Sequence, residues 1–381
     1  NYKNTALIQH LTSLVFLCLA FMIPILSGIA DYLKNKVSFL KFFCYLGSVS
    51  CIGLYFFTIE NIFLGLFFYF FALFSFWASL VFYNSYLPEI AFPHQQDKAS
   101  AQGFSYGYIG SVLLLLINLL MVLYPSIFGF QDTIEPMKIS FVMVGLWWAG
   151  FSQYTFYYLP KNQIQLTNKN ILKKSVLFGG FSELNTVWKM IKKQKAIKKF
   201  LIAFFVFSCA LQTIILIATY FGEQEIIWRE GEKQIGLIIS MLLIQLIAII
   251  GAILTAKFSE KFGNIQTLIF LNIFWFFLCV GGYFIKFSHE FYIIAALVGL
   301  VMGGIQALSR STYSKLIPET KNTCSYFSFY QMCMIISISL GTFMSGIVDQ
   351  FTGSLRNSII VFAVIFIFGA ILLKDIKMKK L

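Results

Sequence analysis

Along this chain, apolar residues come in long blocks and do not alternate with polar ones. Eleven stretches are apolar over roughly the 20 residues that a helix needs to cross the hydrocarbon of a bilayer. They run 9–30, 38–58, 61–86, 102–124, 137–159, 198–221, 234–256, 265–286, 290–308, 325–348 and 356–374. The connections are short, with one exception: the polar segment 160–197 separates five stretches from six. The pattern predicts an N-terminal half bundle over 1–159, a linker over 160–197 and a C-terminal half bundle over 198–381. Inside the linker, Phe181, Leu184, Val187, Trp188 and Ile191 recur at helical spacing, while Lys189, Lys192, Lys193, Lys195, Lys198 and Lys199 crowd one end. That is an amphipathic helix, expected to lie on anionic lipid.

Composition agrees. Of 381 residues, 59% are hydrophobic and 12% charged, against about 25% charged in an ordinary soluble domain. The fold class expected is therefore an all-α integral membrane protein whose first partner is the lipid bilayer. A formal charge of +13 would invite a nucleic-acid reading in a soluble chain; here the placement of the charges matters more. With the N-terminus outside, the inside loops and tail collect 23 of the 29 Lys and Arg, and the outside segments hold Lys3, Lys138, Arg229, Lys233, Lys286 and Arg356. This asymmetry is what the positive-inside rule requires; it puts the C-terminus in the cytoplasm and leaves no role for nucleic acid. The seven Cys lie mostly in or near the spans without C-x-x-C or neighbouring His, which makes them packing thiols, so no metal and no cofactor is expected. The first residues, NYKNTALIQH, do not have the regions of a signal peptide, and the chain opens on Asn1, so a trimmed or truncated product is expected.

Three segments repeat at nearly one offset. Gly28-Ile-Ala-Asp31-Tyr-Leu-Lys34-Asn-Lys36 corresponds to Ala256-Lys-Phe-Ser-Glu260-Lys261-Phe-Gly263, 229 positions later. Tyr83 to Glu89 corresponds to Tyr313 to Glu319 at 230, and Phe104-Ser105-Tyr106 to Phe327-Ser328-Phe329 at 223. Weak internal symmetry of this kind is common in transporters. Subtracting the offset from the stretch at 198–221 puts its partner ahead of residue 1, so the repeat predicts eleven transmembrane helices of an expected twelve, with the first missing.

The segment around Asp31 follows a span with an acid and cations on a short loop, the pattern by which major facilitator proteins fasten their cytoplasmic gate. Asp31 can accept charge-assisted hydrogen bonds from a helix N-terminus or from cations, and Lys36, Glu89, Glu260, Lys261 and Glu319 complete the candidate gating set. Where the pattern usually carries Gly, this chain has Lys34. Gly103-Phe-Ser105-Tyr-Gly107 matches G-x-S-x-G, but a hydrolase elbow needs a strand before it, and here a polar loop leads into a membrane helix. Gly103, Gly107 and Gly110, like Gly299, Gly303 and Gly304, are better read as places where helices approach closely. Polar groups within spans are costly unless partnered or functional, which makes Asn84, Tyr106, Gln153, Gln212, Gln306, Arg310, Tyr330 and Gln331 the candidate substrate contacts. Asn118, Gln245 and Asn272 share their character. No strongly buried carboxylate is visible as a proton-coupling group.

Tyr83-Asn-Ser-Tyr-Leu-Pro-Glu-Ile-Ala, Ser100-Ala-Gln-Gly-Phe-Ser-Tyr-Gly-Tyr-Ile-Gly-Ser111 and Gly303-Gly-Ile-Gln-Ala-Leu-Ser-Arg310-Ser, with Leu316-Ile-Pro-Glu319 and Phe327-Ser-Phe-Tyr330, closely resemble the vacuole-effluxer-like branch of the major facilitator superfamily. The resemblance implies a twelve-helix bundle with alternating access; fungal members export amino acids from the vacuole. Two features depart from it. The family's first helix, with its W-A-N-S-like motif, is the one that the repeat predicts to be missing, and Gln331-Met-Cys-Met-Ile stands where the resemblance leads one to expect acidic and basic residues. The expected function is a secondary transporter of a small polar solute, amino acids being one class, together with a coupling ion where one is used. The alternative is a transport-inactive membrane scaffold. A bacterial inner membrane is the expected location.

Overall fold

The computed structural model describes residues 4–58, 60–160 and 174–378. Thirteen α-helices account for nearly all of them: α1 Asn4–Leu33, α2 Lys36–Gly53, α3 Ile62–Asn84, α4 Leu87–Ile90, α5 Gln96–Leu123, α6 Ile134–Tyr158, α7 Lys174–Lys193, α8 Lys195–Glu225, α9 Lys233–Phe262, α10 Asn264–Phe284, α11 Ser288–Leu316, α12 Thr323–Thr352 and α13 Leu355–Lys374. Ten of these helices are long and apolar enough to cross a membrane. The predicted stretch at 137–159 is present as α6 but is not among the ten; Lys138 near its start and Gln153, Tyr154, Tyr157 and Tyr158 near its end lower its apolarity. The figure of eleven spans is thus approximate. Of the linker, residues 161–173 lie outside the described residues, and the amphipathic stretch is helix α7.

By contacts the chain divides into two compact units, and the division does not fall at the linker. One consists of Asn1–Tyr86, Leu113–Met190 and Thr320–Met332, the other of Leu87–Val112, Ile191–Glu319 and Cys333–Leu381. Helices α5 and α12 are therefore shared, and α7 passes its last residues, from Ile191, to the second unit. The first turns of α12 belong to the unit that contains α1, and the first half of α5 belongs to the unit that contains α9. In the first unit α2 packs on α3 and α6. Phe43, Phe74 and Phe82 are buried together, and Gly47 has no room for a Cβ beside the Trp148 ring. In the second unit α9 and α11 run in backbone contact. A Cβ on Gly299 would meet the Ile244 carbonyl at 2.5 Å, and one on Gly303 would strike the Ala248 carbonyl. Small residues bring membrane helices this close because lipid supplies no hydrophobic drive for association, so packing must. Gly107, in contrast, faces open space. On the other side of this unit Trp275 of α10 is buried and stacks on Phe366 of α13 at 5.2 Å.

The helix ends that matter for the site both carry a residue with positive φ. Lys34, just past α1, has φ +53°, and Gly263, just past α9, has φ +87°. A residue with positive φ after the last turn is a common way for a helix to stop. The two positions are 229 apart, the offset of the repeat.

Candidate functional site: two carboxylate latches

The first latch lies within the first unit, where α1 ends and α12 begins. Asp31 is in the last turn of α1 and is 7% exposed. One carboxylate oxygen accepts the backbone N–H of Cys324 at 3.2 Å and the other that of Ser325 at 2.7 Å. These amides belong to the first turn of α12, where N–H groups have no partner inside the helix and carry the positive end of its dipole. Asp31 thus caps a helix from another part of the chain. Beside it the buried Lys36 donates to the Ser85 carbonyl and to Thr323 Oγ1, both at 3.3 Å, with its ammonium 4.0 Å over the Tyr86 ring. Ser85 Oγ lies 3.2 Å from Cys324 Sγ. The ends of α1 and α3, the start of α2 and the start of α12 therefore meet around one acid and one ammonium.

The second latch lies within the second unit, and here the acid is on the other partner. Asp97, in the first turn of α5, is 4% exposed. It accepts from Lys315 Nζ of α11 at 2.6 Å, from Ser259 Oγ of α9 at 3.0 Å and from Asn264 Nδ2 of α10 at 2.8 Å. Asn264 also bonds Lys315 and Thr312. One turn along α5, Ser100 takes two bonds from Arg310, through Nε to its hydroxyl and through Nη2 to its carbonyl, each 2.9 Å. Ser100 Oγ donates to the Ala307 carbonyl, and the guanidinium sits 4.6 Å over Phe104. Ion pairs buried to this degree are stable only when hydrogen bonds satisfy both charges, and both partners here are so surrounded.

The sequence-derived candidates separate accordingly. Asp31 and Lys36 come together in the first latch. Glu89, Glu260, Lys261 and Glu319 are exposed. At the end of α9 it is Ser259, not Glu260, that turns toward the buried acid. Arg310, expected to face a solute, is buried with its side chain engaged by α5. Among the other candidate contacts, Asn84, Tyr330 and Gln331 are buried, while Tyr106 is 70% exposed on α5. Gln153 is exposed and bonded to Tyr45, Gln212 bonds Met334, and Gln306 accepts from Tyr108. Ser105 is in a helix with its hydroxyl on the Ile249 carbonyl, the context that argued against an elbow. The expectation that no carboxylate is strongly buried is corrected twice, by Asp31 and by Asp97. Asp97, Ser100 and Lys315 escape the sequence reading because they sit in polar runs that read as solvated loop; the signal available is that each lies one or two helical turns from Phe104 or Arg310.

A family model described as "Vacuole effluxer Atg22 like" matches residues 1–380. The chain belongs to this vacuole effluxer Atg22-like family. Among individual relatives, it is 28% identical over 375 residues to the uncharacterized MFS-type transporter YxiO of Bacillus subtilis (strain 168), covering 97% of this chain and 84% of that one. It is 25% identical over 288 residues to autophagy-related protein 22 of Kluyveromyces lactis, covering 71% of this chain and 55% of the fungal protein; it spans about half the length of that relative. Among solved structures, the E. coli fucose:proton symporter FucP superposes with a TM-score of 0.73 at 16% identity, covering 98% of this chain and 92% of that one. The proton:xylose symporter XylE gives 0.71 at 13%, covering 100% and 89%. Likeness at this level of identity shows the fold alone: the Atg22-like chain has the major facilitator fold and is an integral membrane protein. Asp31 and the start of α12 thus form a fastening at helix ends within a transporter family.

Proposed function

We propose that this Atg22-like protein is a secondary transporter that moves a small polar solute by alternating access, with the Asp31 and Asp97 clusters each acting as a gate fastening. The observation that carries this reading is the reciprocity of the two clusters. In each, the first turn of a helix shared between the units is fastened through a buried carboxylate to the other part of the repeat: Asp31, at the end of α1, holds the start of α12, and Asp97, at the start of α5, is held by Ser259, Asn264 and Lys315. Both fastenings are polar, so each can be exchanged for water when it opens, whereas an apolar seal would lose its burial outright. The positive-inside count supports a cytoplasmic side for these fastenings and for the C-terminus, and the bacterial relative supports an inner-membrane location. The polar groups within the spans are mostly amides and phenols, which suits a neutral or zwitterionic solute, and the family makes amino acids the first class to try.

The test is counterflow in proteoliposomes loaded in turn with unlabelled amino acids and with sugars, reading uptake of the matching labelled solute. Protein-dependent accumulation with any of them establishes transport and names the class. No counterflow with any small polar solute, by folded protein, would sink the proposal and leave the scaffold reading.

A further inference from the structure

Helix α7 is the feature that neither latch absorbs. Its inner face lies on the first latch. Gly180 meets α1 so closely that a Cβ on Gly28 would strike its carbonyl oxygen, and a Cβ on Gly180 would meet the backbone N of Ile29 at 2.9 Å. Glu183 accepts from Asn322 Nδ2 at 2.7 Å, immediately before α12, and Trp188 stacks on Phe329, within α12, at 5.4 Å. One helix therefore grips both α1 and α12 next to the bonds that Asp31 makes between them.

The opposite face of α7 is uncovered and carries a different chemistry. Phe178 is 72% exposed and Phe181 51%. One to three turns on, Asn185, Lys189 and Lys193 are exposed on the same side, which holds no acid. Only Gln194, with extended backbone, separates α7 from α8, which enters the membrane from Lys195. That single-residue connection places the lysine end of α7 at the membrane boundary, where lipid phosphates are. Aromatic rings beside lysines on one helical face are what an interfacial helix uses, rings at the acyl boundary and ammonium groups at anionic headgroups.

We infer that the outer face of α7 binds the anionic phospholipid surface and, by holding α7 in place, braces the α1–α12 latch. The proposal goes beyond transport and does not depend on a solute. Its test is hydrogen exchange read by mass spectrometry on the full chain in nanodiscs, comparing phosphatidylcholine alone with a phosphatidylcholine and phosphatidylglycerol mixture. Two lysines at an anionic surface are expected to slow exchange up to about thirtyfold, both over 178–190 and over the first turn of α12. In the Lys189→Gln/Lys193→Gln variant the lipid response should vanish, with exchange in phosphatidylcholine unchanged. Three outcomes overturn it. Phosphatidylglycerol leaves α7 unaffected, as when a second copy or a partner protein already covers the face; the glutamine variant keeps the response, so that the lipid acts elsewhere; or α7 slows while the start of α12 does not, so that there is no brace.

Discussion

Asp31, in the last turn of α1, completes with its carboxylate the first turn of α12. A side-chain cap contributes about 1 kcal/mol, and more when it is charged and partly buried. Asp31→Asn keeps one acceptor and loses the charge. It is expected to loosen the start of α12 and raise alkylation of the fully buried Cys324 by N-ethylmaleimide several-fold, read by peptide mass spectrometry; unchanged labelling would mean that Asp31 is not the fastening. Lys34 gives the complementary prediction. At φ +53° a side chain costs about 1 kcal/mol that glycine does not. Lys34→Gly should therefore raise the unfolding temperature by a degree or more in detergent, and Lys34→Val should lower it. The sequence made Asp31 legible, since an acid directly after a span and before cations is a recognisable pattern. It concealed Asp97, because Gln95-Gln96-Asp97-Lys98 reads as a wet loop until α9, α10 and α11 are known to close over it.

At the scale of elements, α5 and α12 stand out as the two helices whose first turns are fastened apart from the rest of their length. Their equivalence was legible in the offsets of the repeat; the change in which partner brings the acid was not. Offsets align backbones, whereas the face a carboxylate turns to is set by helix rotation, and Glu260 and Ser259 differ by one step of about 100°. The Asp97–Lys315 pair can be tested as a unit. Removing one partner of a buried pair leaves an uncompensated charge and typically costs 3–5 kcal/mol, so Asp97→Leu or Lys315→Leu alone should destabilise strongly. The double variant should recover most of the loss in thermal unfolding. Recovery of stability without recovery of flux would separate gating from folding.

For the whole molecule, alternating access requires that the latch open in each cycle. Ser85 Oγ and Cys324 Sγ are 3.2 Å apart, close enough that Ser85→Cys should form a disulfide with Cys324 under mild oxidant. Oxidation is expected to stop counterflow in proteoliposomes and dithiothreitol to restore it; undiminished flux in the cross-linked protein would show that this latch need not open. Taken alone, the sequence determined the membrane class, the helical bundle, the positions of nearly all spans and the family, because those follow from long apolar runs and local motifs read one segment at a time. Tertiary structure alone decided which polar groups are buried, that α7 lies on the first latch, that Arg310 is held by Ser100, and that each shared helix is fastened through a buried acid to segments distant in sequence. The reason is physical: apolar length is a property of a segment, while burial of a charge depends on which other segments close over it.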